Sequence, residues 1–358
     1  MTTVQDIIAQ LDLTPATTAT PFHLRAGDIG MTVLCPQPLR TELTDYFAET
    51  LSDTAGQITV HLLPDQTLPN EPDWVEWARD AGKMGRKDAV ADIDGARMIK
   101  KVRSGVTFVQ SPEVAIAFGP LNENVSTVIN FINTQILSTC LRDGWQLCHA
   151  AAIAGPTRSL AISGLSGGGK STSVLKMMEH PDSRFVSNDR LLVRDGTPAQ
   201  ALGIPKHPRI NPGTILGNPR LHAMLTPARR AELEAMPADD LWTLEDKYDL
   251  FIADIYGPNR MQLAAPLTDF WVLNWSRTAT TPTTVTEVNL DRRPDLLSAI
   301  MKSPGAFHQH ADGRFEPNGN TPTAAPFLDA LRNVRVSEVS GRVDFDALSE
   351  IGRRLLDG

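Results

Sequence analysis

Residues 160–172 read Leu160-Ala-Ile-Ser-Gly164-Leu-Ser166-Gly167-Gly168-Gly169-Lys170-Ser171-Thr172. Every fixed position of the pattern G-x-x-x-x-G-K-[ST], a phosphate-binding loop, is filled. Glycine lets a backbone turn tightly and brings its N–H groups close to a polyphosphate. Gly164, Gly167, Gly168 and Gly169 are spaced for that task. A helix starting near Lys170 would add the positive end of its dipole. Lys170 could then reach the β- and γ-phosphates, the Ser171 hydroxyl could ligate Mg²⁺, and Ser166 and Thr172 would complete the cradle.

A second group of chemical residues lies in Gly203-Ile-Pro205-Lys206-His207-Pro208-Arg209-Ile-Asn211-Pro212-Gly213. Cations fixed among prolines lose little entropy on binding an anion. Lys206 and Arg209 are therefore candidates for holding an acidic substrate or the γ-phosphate, with Asn211 as a further polar contact. A solvated loop with incidental charge fits the same residues equally well. Lys247 and Asp249 either join that site or mark a charged surface turn. His308 and His310 could form a metal pair, but only Asp312 is near as a third ligand, so an exposed loop is the better reading.

The flanking patterns supply elements to position these residues. Leu160 to Ile162 reads as the end of a buried strand, and Ser171 to Glu179 as a helix. Upstream, Leu147 to Ala154 reads as one strand carrying His149, which taken alone looks like a core histidine. Downstream, Arg184 to Arg194 reads as strand, break and strand, with Asn188 and Asp189 at the break. Short alternating runs at Phe22, Met31 and Ile58 predict strands, and Leu39–Phe47 predicts a helix. Asp73–Ala81 is also expected to be helical. Four strand-like runs between Ala89 and Phe118 are separated by turns at Asp94-Gly95 and Ser104-Gly105. Val128, Ile132, Ile136 and Leu141 fall at helical spacing within 124–141. Later, Pro227–Met236 and Asp344–Leu356 read as helices, and Leu250–Ile255 and Phe270–Asn274 as strands.

The chain has 358 residues, room for two domains. Its 41% hydrophobic and 21% charged content is that of a globular protein. A net charge of −8 argues against a general nucleic-acid binder. No run approaches the length of a membrane helix, and the first residues lack a basic segment followed by an apolar one. The three cysteines, Cys35, Cys140 and Cys148, form no C-x-x-C pair, which fits buried thiols in a reducing cytoplasm. The expectation is a cytoplasmic protein with neither nucleic-acid nor membrane partners.

The stretch 147–195 resembles the catalytic domain of the HPr kinase/phosphorylase family and its relatives. The matching pieces are Leu147-Cys-His149-Ala-Ala-Ala, Ser163-Gly-Leu-Ser166-Gly-Gly-Gly-Lys170-Ser171 and Val186-Ser-Asn188-Asp189-Arg190. The match is nearest to relatives whose substrates are not HPr. It implies an α/β (α+β) fold similar to phosphoenolpyruvate carboxykinase, with the P-loop on a mixed, largely antiparallel sheet. A smaller N-terminal α+β domain is expected over 1–120, and the P-loop domain over 121–358.

The resemblance further implies ATP and Mg²⁺ as cofactors, held by Gly164 to Ser171. It puts His149 near the transferred phosphoryl group, and Asp189 on the metal together with Ser171. Asn188 stands where the family has the first Asp of an Asp-Asp pair. An amide cannot take a proton at neutral pH. Either Asp189 does the work of both residues, His149 substitutes, or catalysis is weakened. Asp254, ending the apolar run Leu250-Phe-Ile-Ala, competes for the metal. The matching context favours Asp189, nineteen residues past Lys170.

The expected function is an ATP-dependent kinase that moves the γ-phosphoryl group to a hydroxyl of a protein serine or an anionic small molecule. A nucleotide-binding regulator that has lost catalysis, and a carboxykinase- or ligase-like enzyme, are the alternatives. Family members are often oligomeric, so the resemblance points to a homo-oligomer.

Overall fold

The computed structural model describes residues 2–78, 85–164, 168–244 and 246–358. The chain forms two units, one of residues 1–144 with 303–322 and one of residues 145–302 with 323–358.

Among its described residues the first unit holds nine strands: β1 (Phe22–Ala26), β2 (Ile29–Leu34), β3 (Leu51–Ser52), β4 (Ile58–Pro64), β5 (Val75–Trp77), β6 (Asp88–Ile93), β7 (Ala96–Lys101), β8 (Thr107–Gln110) and β9 (Ala115–Gly119). They form one sheet in the order β3-β1-β2-β4-β9-β8-β7-β6-β5, parallel only at β2/β4 and β4/β9. Gly95 and Gly105 turn the chain with positive φ, where a side chain would be strained. Expected helix 73–81 is strand β5 in its described part, where Val75 to Trp77 pair with the open edge of β6. Its residues 79–81 lie outside the described residues.

Helix Val125–Arg142 belongs to this first unit, so the division falls at Gly144/Trp145 and not at 120/121. The reason is its apolar face. Phe131 stacks on Phe108 of β8 with ring centroids 4.6 Å apart, and Val128, Ile132 and Ile136 are buried. Burying side chains of this size stabilises the contact by about 1.5–3 kcal/mol each. Residues 303–322 return to the same core: Phe307 meets Phe108 edge-on at 5.2 Å. The buried Arg97 guanidinium donates to the carbonyls of Ala306 and Glu316.

The second unit contains β10 (Gln146–Cys148), β11 (Ala150–Ala154), β12 (Ser159–Gly164), β13 (Arg184–Ser187), β14 (Leu191–Arg194), β15 (Ala199–Leu202), β16 (Arg209–Ile210), β17 (Tyr248–Asp249), β18 (Ala264–Leu267), β19 (Asp269–Leu273), β20 (Thr284–Glu287) and β21 (Arg335–Ser340). Six strands, β13-β11-β12-β19-β21-β20, make a mixed sheet, with β12, β19 and β21 mutually parallel and the other pairs antiparallel. Four strands, β10-β14-β15-β18, make a wholly antiparallel sheet. A third pair, β16 and β17, is antiparallel.

Helices Lys170–Met177 and Phe345–Asp357 bury Val174, Met177, Leu348 and Leu356 in the core that also takes Ile153, Leu160 and Ile162. Asp344 caps the second helix by accepting from the Ala347 N–H at 3.0 Å. The expected strand 250–255 is a helix, Ile252–Tyr256. Ile252 and Tyr256, four residues apart, both enter the core, and Gly257 at φ 92° ends the helix as only glycine does without strain. Among the described residues no helix is long and apolar enough to cross a membrane.

Candidate functional site

His149 is not inside a strand. The expected strand 147–154 is two strands in different sheets: β10 pairs with β14, β11 pairs with β13, and His149 is the joint. The chain crosses between the same two sheets a second time at Asn188, Asp189 and Arg190, between β13 and β14. The two crossings run side by side because Cys148 pairs with Leu191 on one flank and Ala152 with Ser187 on the other. At a crossing the side chains leave the regular alternation of a strand and can face a cavity. There the imidazole Nε2 of His149 lies 3.0 Å from Oδ1 of Asp189. The Ser187 hydroxyl closes the second crossing by donating to the Arg190 carbonyl at 2.7 Å.

A third segment lies against the first crossing. The His149 N–H donates to the Ile300 carbonyl at 2.7 Å, and the Lys302 N–H to the Leu147 carbonyl at 3.1 Å. This puts the Lys302 ammonium 3.3 Å from the other Asp189 oxygen, Oδ2. The Asp189 carboxylate is thus held by an imidazole on one oxygen and an ammonium on the other. Burial within the cavity walls would raise its carboxyl. The His149 hydrogen bond and the Lys302 charge outweigh that and hold it well below the usual carboxylate range. Half of its side chain is accessible, and that surface faces the cavity.

The glycine-rich run follows β12. Ser166 and Gly167 of the expected cradle lie outside the described residues; Gly164 and Gly168 to Thr172 are described. Ser163, just before Gly164, donates its hydroxyl to the His149 carbonyl at 2.8 Å, fastening the end of β12 to the first crossing. Gly169 has φ 97° and precedes helix Lys170–Met177. A Cβ on Gly169 would meet the Phe345 ring at 2.5 Å, so conformation and space both require glycine. The Trp275 indole N–H donates to the Gly168 carbonyl at 2.9 Å, and its ring meets Phe345 edge-on at 5.1 Å. Among the described residues no side chain caps the N-terminus of the helix, and its first turn has no acidic residue. The Lys170 ammonium folds back onto the Gly164 carbonyl at 3.0 Å. Burial pushes it down to about 8, Asp189 opposing and Lys302 adding to the shift.

These pieces line one cavity of about 810 Å³. Its walls include His149, Gly168 to Thr172 and Asn188 to Arg190. Lys206 and Arg209 also line it, as do Asn211 and Lys247, so the proline-bound loop reaches the same space as the glycine-rich run. Burial pushes the Lys206 ammonium down to about 8, with Arg190 beside it acting in the same direction. Arg209 is paired across β16/β17 with Asp249 at 2.9 Å. The amide oxygens of Asn188 and Asn211 are buried acceptors that receive no hydrogen bond from the described residues. Lysine, arginine and helix N–H groups around one concavity suit an anion, and the two acceptors suit a ligand with donors of its own.

Asp254 does not line the cavity; it is exposed on helix Ile252–Tyr256. His308 is buried, not in an exposed loop. Its ring meets that of His310 edge-on at 4.6 Å, and His310 pairs with the buried Glu316 at 2.7 Å. Burial and the neighbouring His310 push His308 down to about 4. Among the described residues no group of three or more His, Cys, Asp or Glu side chains is arranged to hold a metal. Lys302, Trp242 and Phe345 were not marked in the sequence, and Trp275 only as part of a faint echo of the family's later signature. Trp275 lies in Val272-Leu-Asn-Trp275-Ser-Arg277, directly after a strand parallel to β12, the one signal that could have marked it. Lys302 carries no local signal.

No protein-family model matches the chain, and no curated protein sequence matches it. Among solved structures, the HPr(Ser) kinase/phosphatase from Coxiella burnetii aligns with 60% of this chain and 99% of its own, at 9% identity and a TM-score of 0.30. That is a distant likeness and decides nothing about this site.

Proposed function

We propose that this protein is an ATP-dependent phosphotransferase whose P-loop is Gly164 to Ser171. One observation carries the reading: Gly168 to Ser171 and the His149–Asp189 pair line a single cavity. At about 810 Å³ it is within the ~300–1,000 Å³ usual for a small-molecule site.

Lys170 and the leading N–H groups of helix Lys170–Met177 bind the β- and γ-phosphates. Mg²⁺ needs only one or two protein oxygens beside the phosphate oxygens, and the Ser171 hydroxyl and Asp189 carboxylate fit that demand. When bound, the metal neutralises charge on the phosphoryl oxygens. The acceptor hydroxyl enters beside Asp189. A carboxylate this acidic is a weak base, so Asp189 orients the hydroxyl by accepting its hydrogen bond. The bond between the acceptor oxygen and the γ-phosphorus forms as the bond from that phosphorus to the β-bridging oxygen breaks. The hydroxyl proton passes to the Asp189–His149 pair late in that step, and ADP leaves. Lys206 and Arg190, both on the cavity wall, favour an anionic acceptor.

Titration calorimetry with Mg–ATP tests the reading. The Lys170→Ala variant loses turnover, and its ATP affinity falls by about 1.5–3 kcal/mol, the worth of a charge-assisted hydrogen bond. Unchanged affinity and turnover overturn the P-loop assignment. A second reading, a regulator that binds the nucleotide without turnover, is favoured by the amide at Asn188. It keeps the binding result and shows no phosphoryl transfer to any acceptor.

A further inference from the structure

Part of the cavity wall is apolar. It is reached from the glycine-rich run by a chain of contacts. The Thr172 hydroxyl is 2.8 Å from the Thr214 hydroxyl on helix Pro212–Leu216. A Cβ on the neighbouring Gly213 would lie 3.8 Å from Leu241. Leu241 and Trp242 belong to helix Ala238–Thr243 and line the cavity, as does Ala238. Val343 and Phe345 add apolar surface to the same cavity, and Phe345 lies directly on Gly169.

Trp242 is one of few large apolar side chains left exposed, with 37% of its surface accessible. It is nonetheless held in place. The Arg277 guanidinium lies over its ring at 4.9 Å and pairs with Asp239 of the same helix at 2.6 Å. Arg277 follows Trp275 by two residues, and Trp275 holds the Gly168 carbonyl. One short segment, 275–277, therefore fixes both the glycine-rich run and the indole. An exposed aromatic ring, fixed in orientation and set beside a polyphosphate cradle, has the makings of a stacking platform for a flat heteroaromatic group.

We propose that Trp242 is the stacking site for the purine base of the nucleotide, so that the base lies at the Leu241–Trp242 end while the phosphates lie at Gly168 to Thr172. This rests on the P-loop reading above and adds to it the residue that takes the base. Stacking uses the face of the base. It makes the site select a nucleoside triphosphate over a bare polyphosphate of similar charge.

The experiment compares ATP with inorganic tripolyphosphate on the full chain. Binding is followed by calorimetry for the unaltered protein, Trp242→Ala and Trp242→Phe. Trp242 is partly exposed, so its loss leaves the core intact, and the Phe variant keeps a ring. ATP binds the unaltered protein more tightly than tripolyphosphate. Trp242→Ala weakens ATP by about tenfold, the scale of one stacked base, and leaves tripolyphosphate where it was. Trp242→Phe recovers most of the lost affinity. The proposal is overturned if Trp242→Ala binds ATP like the unaltered protein, or if it weakens both ligands equally. If neither ligand binds the unaltered protein, the P-loop reading falls and takes the stacking site with it.

Discussion

The Nε2 of His149 and the Oδ1 of Asp189, 3.0 Å apart, meet where two neighbouring segments cross from the six-stranded sheet to the four-stranded one. The crossing explains the pairing. Regular strands would send both side chains into alternating layers. At the joints they are released together, and the flanking ladders β11/β13 and β10/β14 fix their distance. The His149 hydrogen bond and the Lys302 charge then outweigh burial at this carboxylate, and four predictions follow from that setting and its surroundings.

Asp189→Asn abolishes phosphoryl transfer, while Asp254→Asn leaves it near the unaltered level. Asp189 faces the cavity between His149 and Lys302, whereas Asp254 is exposed on a short helix away from it. Turnover is measured on both variants after circular dichroism has confirmed folding. The reverse ranking moves the acidic residue of the site to helix Ile252–Tyr256.

Lys302→Met raises the Asp189 carboxyl toward its ordinary value, because the Lys302 charge that helps hold it down is gone. Activity that needs the ionised carboxylate is lost as pH falls through that carboxyl's pKa. The acid limb of the pH–rate profile therefore moves to higher pH in the variant. An acid limb that stays in place means that Lys302 does not act on the group controlling the rate.

Nucleotide affinity falls as pH rises through about 8. Lys170, which binds the phosphates, is pushed down to about 8, so it is charged below that pH and neutral above it. An anion binds the charged form. Above pH 8 its binding must therefore draw protons onto the protein, whereas near pH 6 little uptake remains. Calorimetry at pH 9 in two buffers of different ionisation enthalpy reads the uptake directly. Heats that do not depend on the buffer refute the assignment of Lys170 to the phosphates.

Gly203→Ala destabilises the second unit. A Cβ there would lie 1.8 Å from the Val186 carbonyl oxygen, inside the backbone of β13 just before the second crossing. The backbone must shift, at a cost of about 1–3 kcal/mol or more. Thermal unfolding shows a lowered midpoint, and the shift also carries Asp189 away from His149, so turnover falls more than stability alone requires. A variant that melts with the unaltered protein excludes so close an approach.

What is encoded locally could be read from the chain alone. Helix Val125–Arg142 and strands β6 to β9 follow from apolar spacing and turn glycines, because periodic burial and tight turns are properties of neighbouring residues. The same holds for the start of helix Lys170–Met177 after its glycines, and for the helix that begins after Asp344. Sequence spacing marked Lys170 and the Lys206 loop as chemically capable, the family resemblance marked His149 and Asp189, and all four line one cavity. It misread Leu250–Ile255 because a four-residue spacing of two core side chains suits a single helical turn as well as an apolar run suits a strand. It also split the chain too early, since only the Phe108–Phe131 stack shows which core receives the long helix. Tertiary structure alone decided that β10 and β11 part at His149, and that Lys302, 113 residues from Asp189, sits on its carboxylate. Those facts depend on which distant backbones pair and in what register, and register is fixed by how whole sheets bury their faces, not by any short run of residues.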